Sequence, residues 1–150
     1  MSLRRARIVG TGSYVPPRVV TNEELTKLMD TTDEWIVQRT GIHERHWVEG
    51  ETTTSDLGVE AATRALATSG VDKKDIDMIL FATLSPDHEF PGTGAFFQAK
   101  MDMRGVPALD VRQQCSGFLV SLSVADQFIR TGFCDRILVV GAEIHSKGLD

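Results

Sequence analysis

Cysteine, proline and tyrosine are scarce in this chain of 150 residues, with two, five and one respectively. A chain of this length buries roughly two thirds of its unfolded surface, so it needs no disulfide framework, and Cys115 and Cys134 are expected as free thiols in a reducing compartment. Long apolar runs are missing too. The longest span about five residues, such as Met78 to Ala82, against roughly twenty for a membrane-spanning helix. Arg4, Arg5 and Arg7 lead straight into Gly10-Thr11-Gly12 without the apolar stretch of a secretory signal, and a cytoplasmic location is expected. There is no excess of basic charge. Sixteen Lys and Arg against 21 Asp and Glu leave a net charge of −5, which argues against nucleic-acid binding by phosphate neutralisation. The chain does have 41% hydrophobic and 25% charged residues, the balance of a globular domain.

Periodicity orders the elements. A first strand is predicted at Ala6 to Val9 and is broken by Gly10, Gly12, Pro16 and Pro17. Thr21-Asn22 can cap a helix around Glu23 to Met29, and Asp30 to Asp33 a second from about Glu34 to Arg39. Leu57, Ala61, Ala62, Ala65 and Leu66 recur at helical spacing between Ser55 and Ser69, where Gly70 ends the pattern. Ile76 to Thr83 reads as a strand buried on both faces. Then come a helix at Ala95 to Met103, a strand at Pro107 to Val111, a helix at Ser116 to Arg130 and a strand at Arg136 to Val140. Strands alternating with helices require crossovers, and so imply a mainly parallel sheet with helices on both sides.

Cys115 falls at the turn from a predicted strand into a predicted helix, in Gln113-Gln114-Cys115-Ser116-Gly117. Unpaired N–H groups and the positive end of the helix dipole stabilise a thiolate there, and Gly117 leaves room for a substrate. Phe118, Leu122, Ala125 and Ile129 form the stripe expected to bury that helix. The alternative reading is a small buried core residue, common for free cysteine. Cys134 has no such setting and is expected to be structural. Gly10-Thr11-Gly12 begins like a dinucleotide fingerprint, but Val15 replaces the third glycine and no helix follows directly. His43 and His46 lack metal-ligand spacing, so no metal site is expected. His88 and His145 lie in predicted loops, where solvent exposure is expected. Residue chemistry alone leaves Trp35 as a helix anchor or a stacking surface, Arg39 as a solvated or anion-binding residue, and Phe90 as a loop plug or a pocket wall.

Four strings carry a resemblance: Gly10-Thr11-Gly12-Ser13-Tyr14-Val15-Pro16, Asp30 through Ile42 (Asp-Thr-Thr-Asp-Glu-Trp-Ile-Val-Gln-Arg-Thr-Gly-Ile), Cys115-Ser116-Gly117-Phe118, and Val139-Val140-Gly141-Ala142-Glu143. With them the chain resembles the N-terminal half of β-ketoacyl-acyl-carrier-protein synthase III, a condensing enzyme of the thiolase superfamily. The resemblance implies a thiolase-like layered α/β/α half-domain with a mainly parallel sheet. Residues 1–150 would be this half, incomplete at the C-terminal end, with the second half-domain absent.

By the same resemblance Cys115 takes an acyl group from acyl-CoA and passes it to malonyl-acyl-carrier-protein with loss of carbon dioxide, initiating fatty acid synthesis. Thr31, Trp35 and Arg39 would line the CoA channel. Phe90 would reach across a homodimer interface into the partner's acyl pocket. The expected partners are acyl-CoA, acyl carrier protein and a second copy of the chain, with no nucleic acid, membrane or cofactor beyond the CoA thioester as substrate. The family's catalytic histidine and asparagine belong to the second half, and the last, antiparallel strand of the first half would also be missing, leaving an exposed sheet edge. Two rival readings remain: a related acyltransferase or condensing enzyme of specialised metabolism, and a noncatalytic subunit of a split protein.

Overall fold

The computed structural model describes residues 4–148. Its centre is a three-stranded parallel sheet in the order β4-β3-β5, formed by β3 (Met78–Ala82), β4 (Ala108–Val111) and β5 (Ile137–Gly141). All five residues of β3 are buried. Alternation divides them between two cores. Ile79 and Phe81 face α3 (Thr54–Ser69) and α4 (Thr93–Lys100), packing with Ala62, Phe97, Met101 and Val140. Met78 and Leu80 face α5 (Gly117–Arg130), packing with Ala125, Cys134 and Phe128. The result is the layered α/β/α arrangement with a mainly parallel sheet expected from the sequence.

Helix ends follow the local chemistry. Gly70 closes α3 in the left-handed conformation at φ 69°, which glycine adopts without a Cβ penalty. At the other end of α3, Asp56 accepts hydrogen bonds from the Thr53 amide and hydroxyl, and Lys100 bridges to it from α4 at 2.6 Å. Two short helices, α1 (Asn22–Leu25) and α2 (Asp33–Thr40), begin at the caps Thr21 and Thr32, whose hydroxyls accept from Glu24 N and Trp35 N.

Several expectations need correction. Residues 6–9 form no strand. They run beside β5 across a groove of about 940 Å³ lined by Arg4 to Gly10 on one side and Ile137 and Leu138 on the other. The chain that follows is held by α3: Thr68 donates to Thr11 O at 2.9 Å and Arg64 to Ser13 O at 2.8 Å. A Cβ on Gly12 would lie 2.3 Å from Ala61 O, so only glycine permits this approach. α1 stops at Leu25, which joins Val20 and Ile36 in a small core, while Leu28 and Met29 beyond it stay exposed. The stripe of α5 is also different. Gly117, Ser121 and Ala125 face the sheet, small residues that let the helix lie close, whereas Phe118 is 46% exposed.

An antiparallel pair, β1 (Arg18–Thr21) with β2 (Glu44–Trp47), was not foreseen. Between these strands Asn22, 1% exposed, donates to Asp33 Oδ1 and Ile42 O at 2.7 Å and accepts from Arg45 at 2.5 Å. One buried amide thereby fixes α2 against the β1-β2 pair. Among the described residues no helix is long and apolar enough to cross a membrane.

Candidate active site

The carboxyl ends of the parallel strands converge under the first turn of α5. Ala82 of β3 is in register with Val111 of β4 and Gly141 of β5. A Cβ on Gly117 would sit 3.3 Å from that of Ala82, and one on Gly141 would sit 3.0 Å from the Phe118 ring. Cys115 belongs to the 3-10 turn Gln114–Ser116 that leads into this helix, and its side chain is exposed. The turn is tight: Gln114 has φ 37°, a left-handed conformation that costs a side-chain-bearing residue about 1–2 kcal/mol. Among the described residues no side chain caps α5, and the amide of Gly117, its first residue, donates to Gln114 O within the turn that carries the cysteine. Cys134 is the opposite case. It is buried against Met78 and Leu80, and desolvation, with Asp77 and Asp135 adding to it, pushes its thiol pKa up.

A second group lies on α2. The guanidinium of Arg39 sits 4.7 Å from the centre of the Trp35 ring one turn earlier, and Trp35 is 52% exposed. Thr31, two residues before α2, has a buried hydroxyl with no hydrogen-bond partner among the described residues, an unusual cost for a polar atom. Thr31, Trp35 and Arg39 therefore share one short stretch. No hydrogen bond or ion pair among the described residues links them to Cys115.

Phe90 is 91% exposed at the tip of the loop between β3 and α4. That excludes a plug in the chain's own core. The loop's base is fixed by Asp87, whose side chain is 2% exposed and accepts from the amide and hydroxyl of Ser55 at the start of α3. Asp87 N donates to Thr93 Oγ1 at 3.0 Å, which closes the loop on itself. Beside it Glu143, just past β5, accepts from Leu84 N at 2.7 Å and from the Ser85 hydroxyl at 2.6 Å. Sequence reading missed Asp87 and Glu143 as supports, because their partners are distant in the chain. His88 is exposed and stacks on Phe96, and His145 is exposed. Among the described residues no cluster of three or more His, Cys, Asp or Glu could hold a metal.

Residues 109–150 match the family 3-oxoacyl-[acyl-carrier-protein (ACP)] synthase III. β-Ketoacyl-[acyl-carrier-protein] synthase III 1 of Vibrio parahaemolyticus is 48% identical over 145 residues, 97% of this chain and 46% of that protein. The crystal structure of 3-oxoacyl-[acyl-carrier-protein] synthase III from Aquifex aeolicus VF5 superposes with a TM-score of 0.92 at 42% identity, covering 96% of this chain and 46% of that one. The priming β-ketosynthase of the R1128 polyketide pathway superposes with a TM-score of 0.88 at 35% identity, over 93% of this chain and 42% of its own. The chain thus spans about half the length of the relatives it matches. It is a homologue, in sequence and in fold, of about half of a β-ketoacyl-acyl-carrier-protein synthase III.

Proposed function

We propose that the protein carrying this chain is an acyltransferase that initiates fatty acid synthesis, with residues 1–150 as its N-terminal half-domain. The observation that carries the reading is an exposed cysteine at the start of an uncapped helix, above the carboxyl ends of a parallel sheet. The Cys115 thiolate attacks the thioester carbonyl of acyl-CoA; a C–S bond forms, the bond to CoA breaks, and CoA leaves as its thiol after taking up a proton. Malonyl-acyl-carrier-protein then loses carbon dioxide. The enolate carbon so formed attacks the acyl-cysteine carbonyl, giving a β-ketoacyl product and returning the cysteine. A histidine and an asparagine of a second half-domain stabilise that enolate.

Thr31, Trp35 and Arg39 bind CoA in this reading. The indole offers a face for the adenine, the guanidinium meets the nucleotide phosphates, and the Thr31 hydroxyl gains the partner it lacks. Phe90 fills part of the acyl pocket of a second copy, which explains a phenylalanine held out in solvent by a fixed loop. Leu109 on β4, with Phe118 and Leu119 on the adjoining helix, is also exposed, and a homodimer across the β4 edge covers this apolar surface. A cytoplasmic setting suits two free thiols.

The likeness to a polyketide priming ketosynthase supports a second reading: the same acyl-cysteine chemistry serving specialised metabolism. Intact mass after incubation with a short acyl-CoA tests what the two share. One acyl group should appear on the protein, map to Cys115 and vanish in Cys115→Ala; an adduct on Cys134 with full turnover by Cys115→Ala overturns the assignment.

A further inference from the structure

Two of the attachments that hold the Phe90 loop come from the segment that carries the nucleophile. Asp110, in β4, accepts from Gly94 N at 2.9 Å and so caps α4, whose own N-cap Gly92 has no side chain to do it. The fit is close: a Cβ on Gly92 would lie 2.4 Å from the Asp110 carboxylate. Two residues on, and on the same side of the extended chain, Arg112 reaches Glu89, the neighbour of Phe90. Nη1 is 3.0 Å from Oε2 and Nη2 is 3.5 Å from Oε1, a forked arrangement. Three residues further along is Cys115. The tip of the loop is thus tied to the segment that sets the position of the sulfur, while Asp87 holds its base on α3.

The geometry points to Arg112 and Glu89 as positioning residues that hold the Phe90 loop on the end of β4, the edge at which a second copy is proposed to pair, and thereby set where Phe90 enters that copy's acyl pocket and which acyl chains are accepted there. This rests on the pocket-wall reading of Phe90 given above. An exposed ion pair contributes little to stability, and here its effect is on geometry: without the fork, the loop tip between Asp87 and Gly94 is free to shift relative to β4, and so relative to the acyl pocket of the second copy that Phe90 enters. A displacement of that kind changes selectivity before it changes folding. Arg112 presents a planar fork that lysine cannot reproduce, so Arg112→Lys should restore charge without restoring register.

The test is the ratio of kcat/KM for a short and a longer acyl-CoA, measured on the whole protein. Variants are Glu89→Ala, Arg112→Ala, the double variant, Arg112→Lys, and the swap Glu89→Arg with Arg112→Glu, with Phe90→Ala as the reference. Each alanine variant should shift the ratio about two- to fivefold, the span of an exposed ion pair. The double variant should shift it no further, the swap should restore it, and Arg112→Lys should not. KM for CoA substrates and the thermal midpoint should stay at wild-type values. A changed ratio in Phe90→Ala with none in the Glu89 and Arg112 variants, or additive effects of the two, overturns the coupling and leaves the pocket wall standing. No change in Phe90→Ala overturns the pocket wall and the coupling with it.

Discussion

At the scale of single residues, the two proposed binding groups make separable demands. Trp35 and Arg39 lie on α2, which Asn22 holds against the β1-β2 pair, whereas Phe90 is supported from α3 and β4. Trp35→Ala should therefore weaken CoA-substrate binding by about 1–3 kcal/mol through lost stacking. Arg39→Ala should weaken it by about 1.5–3 kcal/mol through the lost charged contact. Calorimetric titration with a CoA ester checks both, and binding unchanged in both variants removes α2 from the channel. Phe90→Ala should leave CoA affinity alone and alter the chain-length profile; the reverse pattern rules out a pocket wall.

Elements were legible in the sequence where burial dictated them. β3 reads as a strand because both its faces are packed, and α3 because its apolar spacing and Gly70 agree with the left-handed close seen in the fold. Cys115 was legible from its place at a strand-to-helix turn. The β1-β2 pair was not, because its strands are four residues each and mostly polar, with Val20 the buried side chain of β1 and no long alternation to see. Ala6 to Val9 has strand-like residues but pairs with no strand, and the chain just after it bonds to α3 through Thr11 and Ser13, a tertiary preference no local pattern carries. Asp87, Asp110 and Arg112 were missed as loop supports for the same reason.

One element has a pH signature. Partial burial pushes Asp56 at the head of α3 up, but hydrogen bonds from Lys100 and Thr53 outweigh it and hold the carboxyl below its ordinary value. A depressed folded pKa stabilises in full above the unfolded value of about 3.9. The contribution is lost as pH falls through the lower folded one. Lys100→Met should accordingly lower the thermal midpoint at pH 7, and the gap to wild type should narrow at pH 3. A gap that stays constant or widens in acid shows that the pairing is not its source.

For the molecule as a whole, apolar side chains are exposed both where partners are proposed and elsewhere, Phe133 at 69% and Leu28 at 63% among them. Phe90 is 91% exposed, Leu119 66% and Leu109 44%, and the groove beside β5 is lined by Ile8, Val9, Ile137 and Leu138. A polypeptide of residues 1–150 alone should associate or aggregate rather than stay monomeric, and without the histidine and asparagine proposed for a second half-domain it should not decarboxylate malonyl-carrier-protein. Light scattering and a decarboxylation assay read the two parts; a monodisperse monomer with full condensation contradicts the half-enzyme account. The central claim, that Cys115 holds an acyl group on its way to a carbon acceptor, is tested most directly by single turnover. Whole protein acylated at Cys115, freed of excess acyl-CoA and mixed with malonyl-acyl-carrier-protein, should lose its adduct as one carbon dioxide and one β-ketoacyl-carrier-protein appear per site. An adduct that persists while product forms, or that discharges only to water, contradicts it.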